Sequence, residues 1–170
     1  MELEPIRALK AGKAWLVQEG LIDEDGYVIE YVSIDGRLMS PLKYACEQGN
    51  LDACIWLSAN GTSENMTRAD NHGYTPMWIA CQEGHLSVCQ WLFEVGASAD
   101  ITRANNNGIT PMCIACFRGH LLVCQWLFEV GASADITRAD NRGYTPMYIA
   151  CQEGHLSVCQ WLFEVGASAD

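Results

Sequence analysis

The chain has 170 residues, 49% of them hydrophobic, and a formal net charge of −11, which is enough apolar matter for one globular domain and too much for a disordered tail. No run reaches the roughly eighteen apolar residues of a membrane-spanning helix, and the acidic start from Met1 to Glu4 lacks the basic-then-apolar layout of a secretory leader. The negative balance repels nucleic acid and anionic membrane, so the expected partner is a protein with a basic face, met inside the cell, in the cytoplasm, by a monomeric chain.

From the N-terminus, Pro5 to Gly20 ends in WLVQEG, which echoes WLFEVG at 91–96. This segment is expected to be the second helix of a half-repeat that caps the rest of the chain. Tyr27 to Ile34 is β-branched and aromatic, fit for a short strand or an enlarged finger. Residues 1–34 thus form a capping helix and an extended loop.

Beyond this point one unit recurs. Asp35, Asp70, Asn105 and Asp140 stand 35 residues apart, as do Pro41, Pro76, Pro111 and Pro146, giving units 35–69, 70–104, 105–139 and 140–170, the last cut short. Asp70–Asp100 and Asp140–Asp170 differ only where His72 becomes Arg142 and Trp78 becomes Tyr148. Within a unit, Thr75 and Pro76 suit a helix N-cap and first position, because the hydroxyl accepts a free N–H and proline has none to lose. Met77, Ile79, Ala80 and Cys81 give that helix an apolar side and Gly84 stops it; Leu86, Val88, Cys89, Leu92 and Phe93 then form a second, antiparallel helix up to Gly96. Asp100 to Gly108 is polar and turn-rich, fit for a projecting hairpin. Ordering 35 residues costs on the order of 50 kcal/mol while a buried aliphatic side chain returns roughly 1.5–3, so units must stack to stand.

The unit GYTPMWIACQEGHLSVCQWLFEVGASADITRADNRG resembles the ankyrin repeat, with its TPLH and GHL signatures, over roughly residues 35–170. The resemblance implies an all-α solenoid of stacked helix-turn-helix units with projecting β-hairpin loops. Family units run to about 33 residues, and the extra two here fall between Gly96 and Asp100. The TPLH histidine, which in the family ties neighbouring loops by hydrogen bonds, is Lys43, Trp78, Cys113 and Tyr148 here, so the resemblance does not carry that tie over. Thr102 and Thr137 replace the DVN asparagine. Leu38 stands where later units have Gly73, Gly108 and Gly143, and the first loop is expected to be distorted. No polar capping repeat precedes Asp170, as expected for a piece of a longer array.

Chemistry-bearing residues mostly follow the repeat. Cys46, Cys81, Cys116 and Cys151 occupy an alanine-like core site and Cys54, Cys89, Cys124 and Cys159 a valine site. Equivalent residues of stacked units lie roughly 8–10 Å apart, too far for disulfides. His85, His120 and His155 are subject to the same spacing and are read as structural, with Asn50 as their polar substitute. Trp56, Trp91, Trp126 and Trp161 form a bulky core column. Glu83, Glu94, Glu153 and Glu164 fall on solvated helix positions. Phosphate loop, GxSxG and HExxH patterns are absent from the sequence, so neither catalytic residues, a cofactor nor a metal site is expected.

Family members similar to this chain bind partners on the concave surface of loop tips and first helices. Candidates are the positions where the copies disagree: Arg37, His72, Asn107 and Arg142 at the tip, then Met39, Tyr74, Ile109 and Tyr144. On the first helix come Lys43, Trp78, Cys113 and Tyr148, then Glu47, Gln82, Phe117 and Gln152, and Gln48, Glu83, Arg118 and Glu153. The third repeat, with Ile109, Cys113, Phe117 and Arg118, is the expected hot spot, and Phe117→Ala with Trp78→Ala is expected to weaken capture of a partner while sparing helical content. The leading reading is a non-enzymatic scaffold or adaptor. One alternative is a thiol redox or zinc protein using the CxxC pair Cys113 and Cys116; another is a fragment whose activity lies in other domains.

Overall fold

The structure, a computed structural model, describes residues 4–23, 25–34, 37–60 and 65–167; Asp35 and Asp170 lie outside them. Helix α1 (Glu4–Gln18) precedes a two-stranded antiparallel finger, β1 (Val32–Ile34) and β2 (Arg37–Met39), in which Val32 faces Met39 and Ser33 faces Leu38. Four helix pairs follow: α2 (Pro41–Glu47) with α3 (Leu51–Ala59), α4 (Pro76–Glu83) with α5 (Leu86–Leu92), α6 (Pro111–Arg118) with α7 (Leu121–Leu127), and α8 (Pro146–Gln152) with α9 (Leu156–Glu164). Helices α2, α4, α6 and α8 pack in sequence as one layer and α1, α3, α5, α7 and α9 as the other, the one-dimensional stacking of a solenoid.

The first helix of every pair starts for the reason the sequence supplies. Ser40, Thr75, Thr110 and Thr145 accept from the backbone N–H of Lys43, Trp78, Cys113 and Tyr148 at 3.4, 3.1, 3.1 and 3.3 Å, with proline next in each case. Such a cap stabilises a helix by about 1 kcal/mol. In the second and third units the second helix closes in a wide turn at Gly96 (φ 116°) or Gly131 (φ 122°), and the extra residues wind into a 3₁₀ turn over Ser98–Thr102 and Ser133–Ile136. Between the layers Leu42, Leu57, Met77, Leu92, Met112, Leu127 and Leu162 are fully buried. The tryptophan column is packed edge-on by the preceding unit: Phe93 meets Trp126 at 5.9 Å and 84°, and Phe128 meets Trp161 at 5.8 Å and 87°.

Helix α1 packs on α3. Gly12 makes this possible, because a Cβ there would fall on the Asp52 carbonyl. Trp15 stacks on Tyr44 at 5.7 Å, and the Tyr44 hydroxyl donates to Glu19 Oε2 at 3.1 Å.

The projecting loops differ from the expectation. Apart from an isolated bridge between Ile22 and Val28, strand pairing among the described residues is confined to β1 and β2. The first finger, with Leu38 in place of glycine, is a paired ladder. The later ones are tight turns organised by one acidic or amide side chain: Asp70 Oδ1 accepts from the N–H of His72 and Tyr74, Asn105 Oδ1 from Asn107 and Ile109, and Asp140 Oδ1 from Arg142 and Tyr144, all at 2.9–3.0 Å. Adjacent turns are laced together, with Asn106 N–H donating to His72 O and Asn141 N–H to Asn107 O, both at 3.0 Å.

Candidate partner-binding surface

Three sets of contacts hold the repeats in register beneath the candidate surface. His85 Nε2 reaches Glu47 O at 3.0 Å, His120 Nε2 reaches Gln82 O at 2.9 Å, and His155 Nε2 reaches Phe117 O at 2.8 Å. Each imidazole therefore donates to the C-terminal end of the preceding unit's first helix. Room for the ring exists because Gly49, Gly84 and Gly119 carry no side chain where it lies. None of these histidines caps its own helix, whereas Asn50 does, its Oδ1 accepting from Ala53 N–H at 3.0 Å.

The second set replaces the missing TPLH histidine. Lys43 Nζ pairs with Asp70 Oδ2 at 3.3 Å across to the next turn, and Trp78 Nε1 donates to Ile109 O at 3.0 Å. Two different side chains thus remake the loop tie from the same helix position. Burial lowers the pKa of Lys43, and the Asp70 carboxylate offsets part of that effect.

The third set is Arg103 and Arg138. Their Nη1 atoms donate to Thr67 O at 2.9 Å and Thr102 O at 3.3 Å of the preceding unit, and pair with the buried Asp100 and Asp135 at 3.4 and 3.5 Å. Desolvation raises the pKa of both aspartates, with the arginines pulling the other way. A raised acid pKa means that the folded chain holds its proton more tightly than the unfolded chain, so this contribution to stability declines as pH rises from the ordinary value of 3.8 through the folded value. Asp100→Asn combined with Asp135→Asn is expected to flatten that part of the stability profile in chemical denaturation between acid and neutral pH. A profile parallel to wild type would remove the assignment.

The surface candidates separate by burial. Arg37 lies in the finger, its side chain outside the described residues. Met39, Lys43, Trp78 and Cys113 are buried, Trp78 to 3% exposure and Cys113 to 1%. Lys43 and Trp78 meet the next turn at Asp70 and at Ile109 O, and Trp78 is a packing residue whose truncation acts on stability. Tyr74, half-buried, stacks on Trp78 with centroids 4.2 Å apart, and the His72 ring lies 5.7 Å from Tyr74. Met39, Lys43, His72, Tyr74, Trp78 and Gln82 all line one cleft of about 340 Å³ between the first two repeats, together with Glu47 and Asp70. Glu83 lies beside it, its Oε1 accepting from Gln82 Nε2 at 2.6 Å.

Farther along, Ile109 is half-buried while Asn107, Phe117, Arg118 and Arg142 are exposed. The Arg118 guanidinium sits 5.5 Å from the Phe117 ring centroid. Tyr144 and Tyr148 stack at 4.9 Å and 14°, and Tyr148 is 52% exposed. The apolar centre expected at the third repeat is therefore carried outward by Phe117 rather than by Cys113.

Sequence reasoning missed two features. Tyr31 and Arg68, with the guanidinium 5.9 Å from the ring, line a second cleft of about 280 Å³ that also touches Lys43 and Asp70; Arg68 recurs unchanged as Arg103 and Arg138, so comparing copies gives no signal there. The other is a set of cysteine contacts eight residues apart. Cys116 faces Cys124 at 3.6 Å instead of joining Cys113 in a pair, and burial pushes the Cys113 thiol up to about 12. Among the described residues no group of three or more His, Cys, Asp or Glu is placed to hold a metal ion, and no helix is long and apolar enough to cross a membrane.

A family model described as ankyrin repeats (3 copies) matches residues 7–105 and, overlapping, residues 95–170. No curated relative matches the chain.

Proposed function

This chain belongs to the ankyrin-repeat family, whose repeats are generally protein-protein interaction modules, and from that premise we propose that it is a non-enzymatic scaffold or adaptor. It binds a protein partner along the turn tips and the exposed faces of the first helices. The observation that carries this reading is the row of exposed rings and guanidinium groups, Phe117 with Arg118 and Tyr144 with Tyr148, standing on a laced framework. Rigid aromatics and arginine concentrate interface energy because they bury large area at small entropic cost. The net charge of −11 favours a partner with a basic face, met by a monomeric chain in the cytoplasm.

The test is affinity capture with the partner identified by mass spectrometry, followed by direct titration. Phe117→Ala with Tyr148→Ala is expected to weaken binding by about tenfold or more while leaving the far-UV circular dichroism unchanged. Binding at wild-type strength by this folded variant would move the site off these helices.

A further inference from the structure

One arginine of the repeat is used differently in the first unit. Arg68, Arg103 and Arg138 are equivalent, and their backbone turns match: each N–H donates to the carbonyl three residues back, Asn65 O at 3.3 Å, Asp100 O and Asp135 O at 3.2 Å. In the second and third units the guanidinium is committed to the frame, on a carbonyl of the preceding unit and on the carboxylate of Asp100 or Asp135. The first unit has Asn65 where the others have that acid. Among the described residues no carboxylate pairs with Arg68, and its exposed guanidinium stands 5.9 Å from the Tyr31 ring centroid instead. There it lines the cleft of about 280 Å³ with Asn65, Asn71, Lys43 and Asp70. The Lys43 side chain is only 7% exposed, its Nζ 3.3 Å from Asp70 Oδ2. Burial lowers the Lys43 pKa, Asp70 raises it, and the like charge of Arg68 lowers it again, so the two cations feel one another across the cleft.

We propose that this cleft is a carboxylate-recognition site, taking one glutamate or aspartate side chain of a protein partner between Arg68 and Lys43. The site rests on the partner-binding reading and adds one acidic contact to the basic face expected of that partner. Among the charged residues that line the cleft, two cations stand against the single carboxylate of Asp70, leaving one positive charge to be matched in a chain whose net charge is −11. A monoanion matches it, whereas a phosphate dianion would exceed it and meet Asp70 at close range. The forked N–H groups of a guanidinium suit a carboxylate in pairs, and the side-chain amides of Asn65 and Asn71 are further donors. The volume lies at the small end of ligand pockets, the size for one side chain and not for an extended ligand. Met39, Lys43, Asp70 and Asn71 also line the cleft between the first two repeats, so the carboxylate site adjoins the candidate partner surface.

The experiment titrates the isotope-labelled 170-residue chain with glutamate blocked at both backbone ends, followed by nuclear magnetic resonance at the Arg68 side-chain N–H and the Asn65 and Asn71 amides. Saturable shifts are expected with blocked glutamate and none with blocked glutamine, its neutral isostere. Arg68→Gln, a change at an exposed side chain, is expected to weaken the binding about tenfold or more. Asn65→Asp is expected to weaken it as much without lowering the urea midpoint, because the new acid takes the guanidinium as Asp100 takes that of Arg103. A loss caused by misfolding would lower that midpoint. No shift with glutamate, equal shifts with glutamine, tighter binding of blocked phosphoserine, or undiminished affinity in either variant would each overturn the site. The probe is a single blocked amino acid, so its failure leaves the partner titration of Phe117→Ala with Tyr148→Ala standing, and failure of that titration leaves the probe result standing.

Discussion

Trp78→Ala is expected to lower the unfolding free energy by about 3–5 kcal/mol, the range for removing a large aromatic from a packed interior. The indole is 3% exposed, stacked on Tyr74, and is the donor that ties the second repeat to Ile109 O of the third. Truncation therefore opens a cavity, uncovers one face of Tyr74 and leaves a carbonyl without its partner. Urea unfolding followed by far-UV circular dichroism measures the loss, with Tyr148→Ala at the equivalent, 52% exposed position as the comparison, expected to change stability by less than about 1 kcal/mol. Equal losses for the two variants would refute the packing role given to Trp78.

Gly84→Ala is expected to cost about 2–4 kcal/mol, summed from three causes. The position holds φ +78°, a conformation that an L side chain adopts only with strain. A Cβ would stand 2.5 Å from His120 Nδ1. Displacing that ring breaks the His120–Gln82 bond between repeats. The causes are separable by a double-mutant cycle, because His120→Ala removes the ring that the new methyl strikes. The double variant is then expected to be less destabilised than the sum of the singles, by about 1 kcal/mol or more. Strict additivity would show that the glycine is required for its backbone angle alone.

The helical frame is legible in the sequence because its punctuation is local: a hydroxyl and a proline start each first helix, glycine ends it, and these signals act within a few residues of where they are written. Relations between segments are not written that way. Comparing the four copies aligns each cysteine with its equivalents and hides the partner eight residues along, which only the fold of a hairpin brings near. The histidines are structural, as their spacing implies, but their acceptors lie 38 residues back, at the end of another helix. Disagreement between copies is an imperfect guide to exposure. Lys43 and Trp78 are buried and meet different neighbours in the following turn, whereas Phe117 is exposed. The turns fall short of β-hairpins because Asp70, Asn105 and Asp140 satisfy the N–H groups that a ladder would have used.

The histidine contacts have a consequence for how such a chain can change in length. Every junction uses the same donor, an imidazole at the start of one outer helix, and the same acceptor, a carbonyl at the close of the previous inner one. Cutting out a whole multiple of 35 residues between equivalent points brings an imidazole of one unit opposite the matching carbonyl of another, and the new junction is chemically the same as the old. A cut of any other size leaves a ring facing the wrong atoms. Length is therefore quantised: the gene can grow or shrink by recombination between its own copies, but only in steps that the imidazole spacing allows.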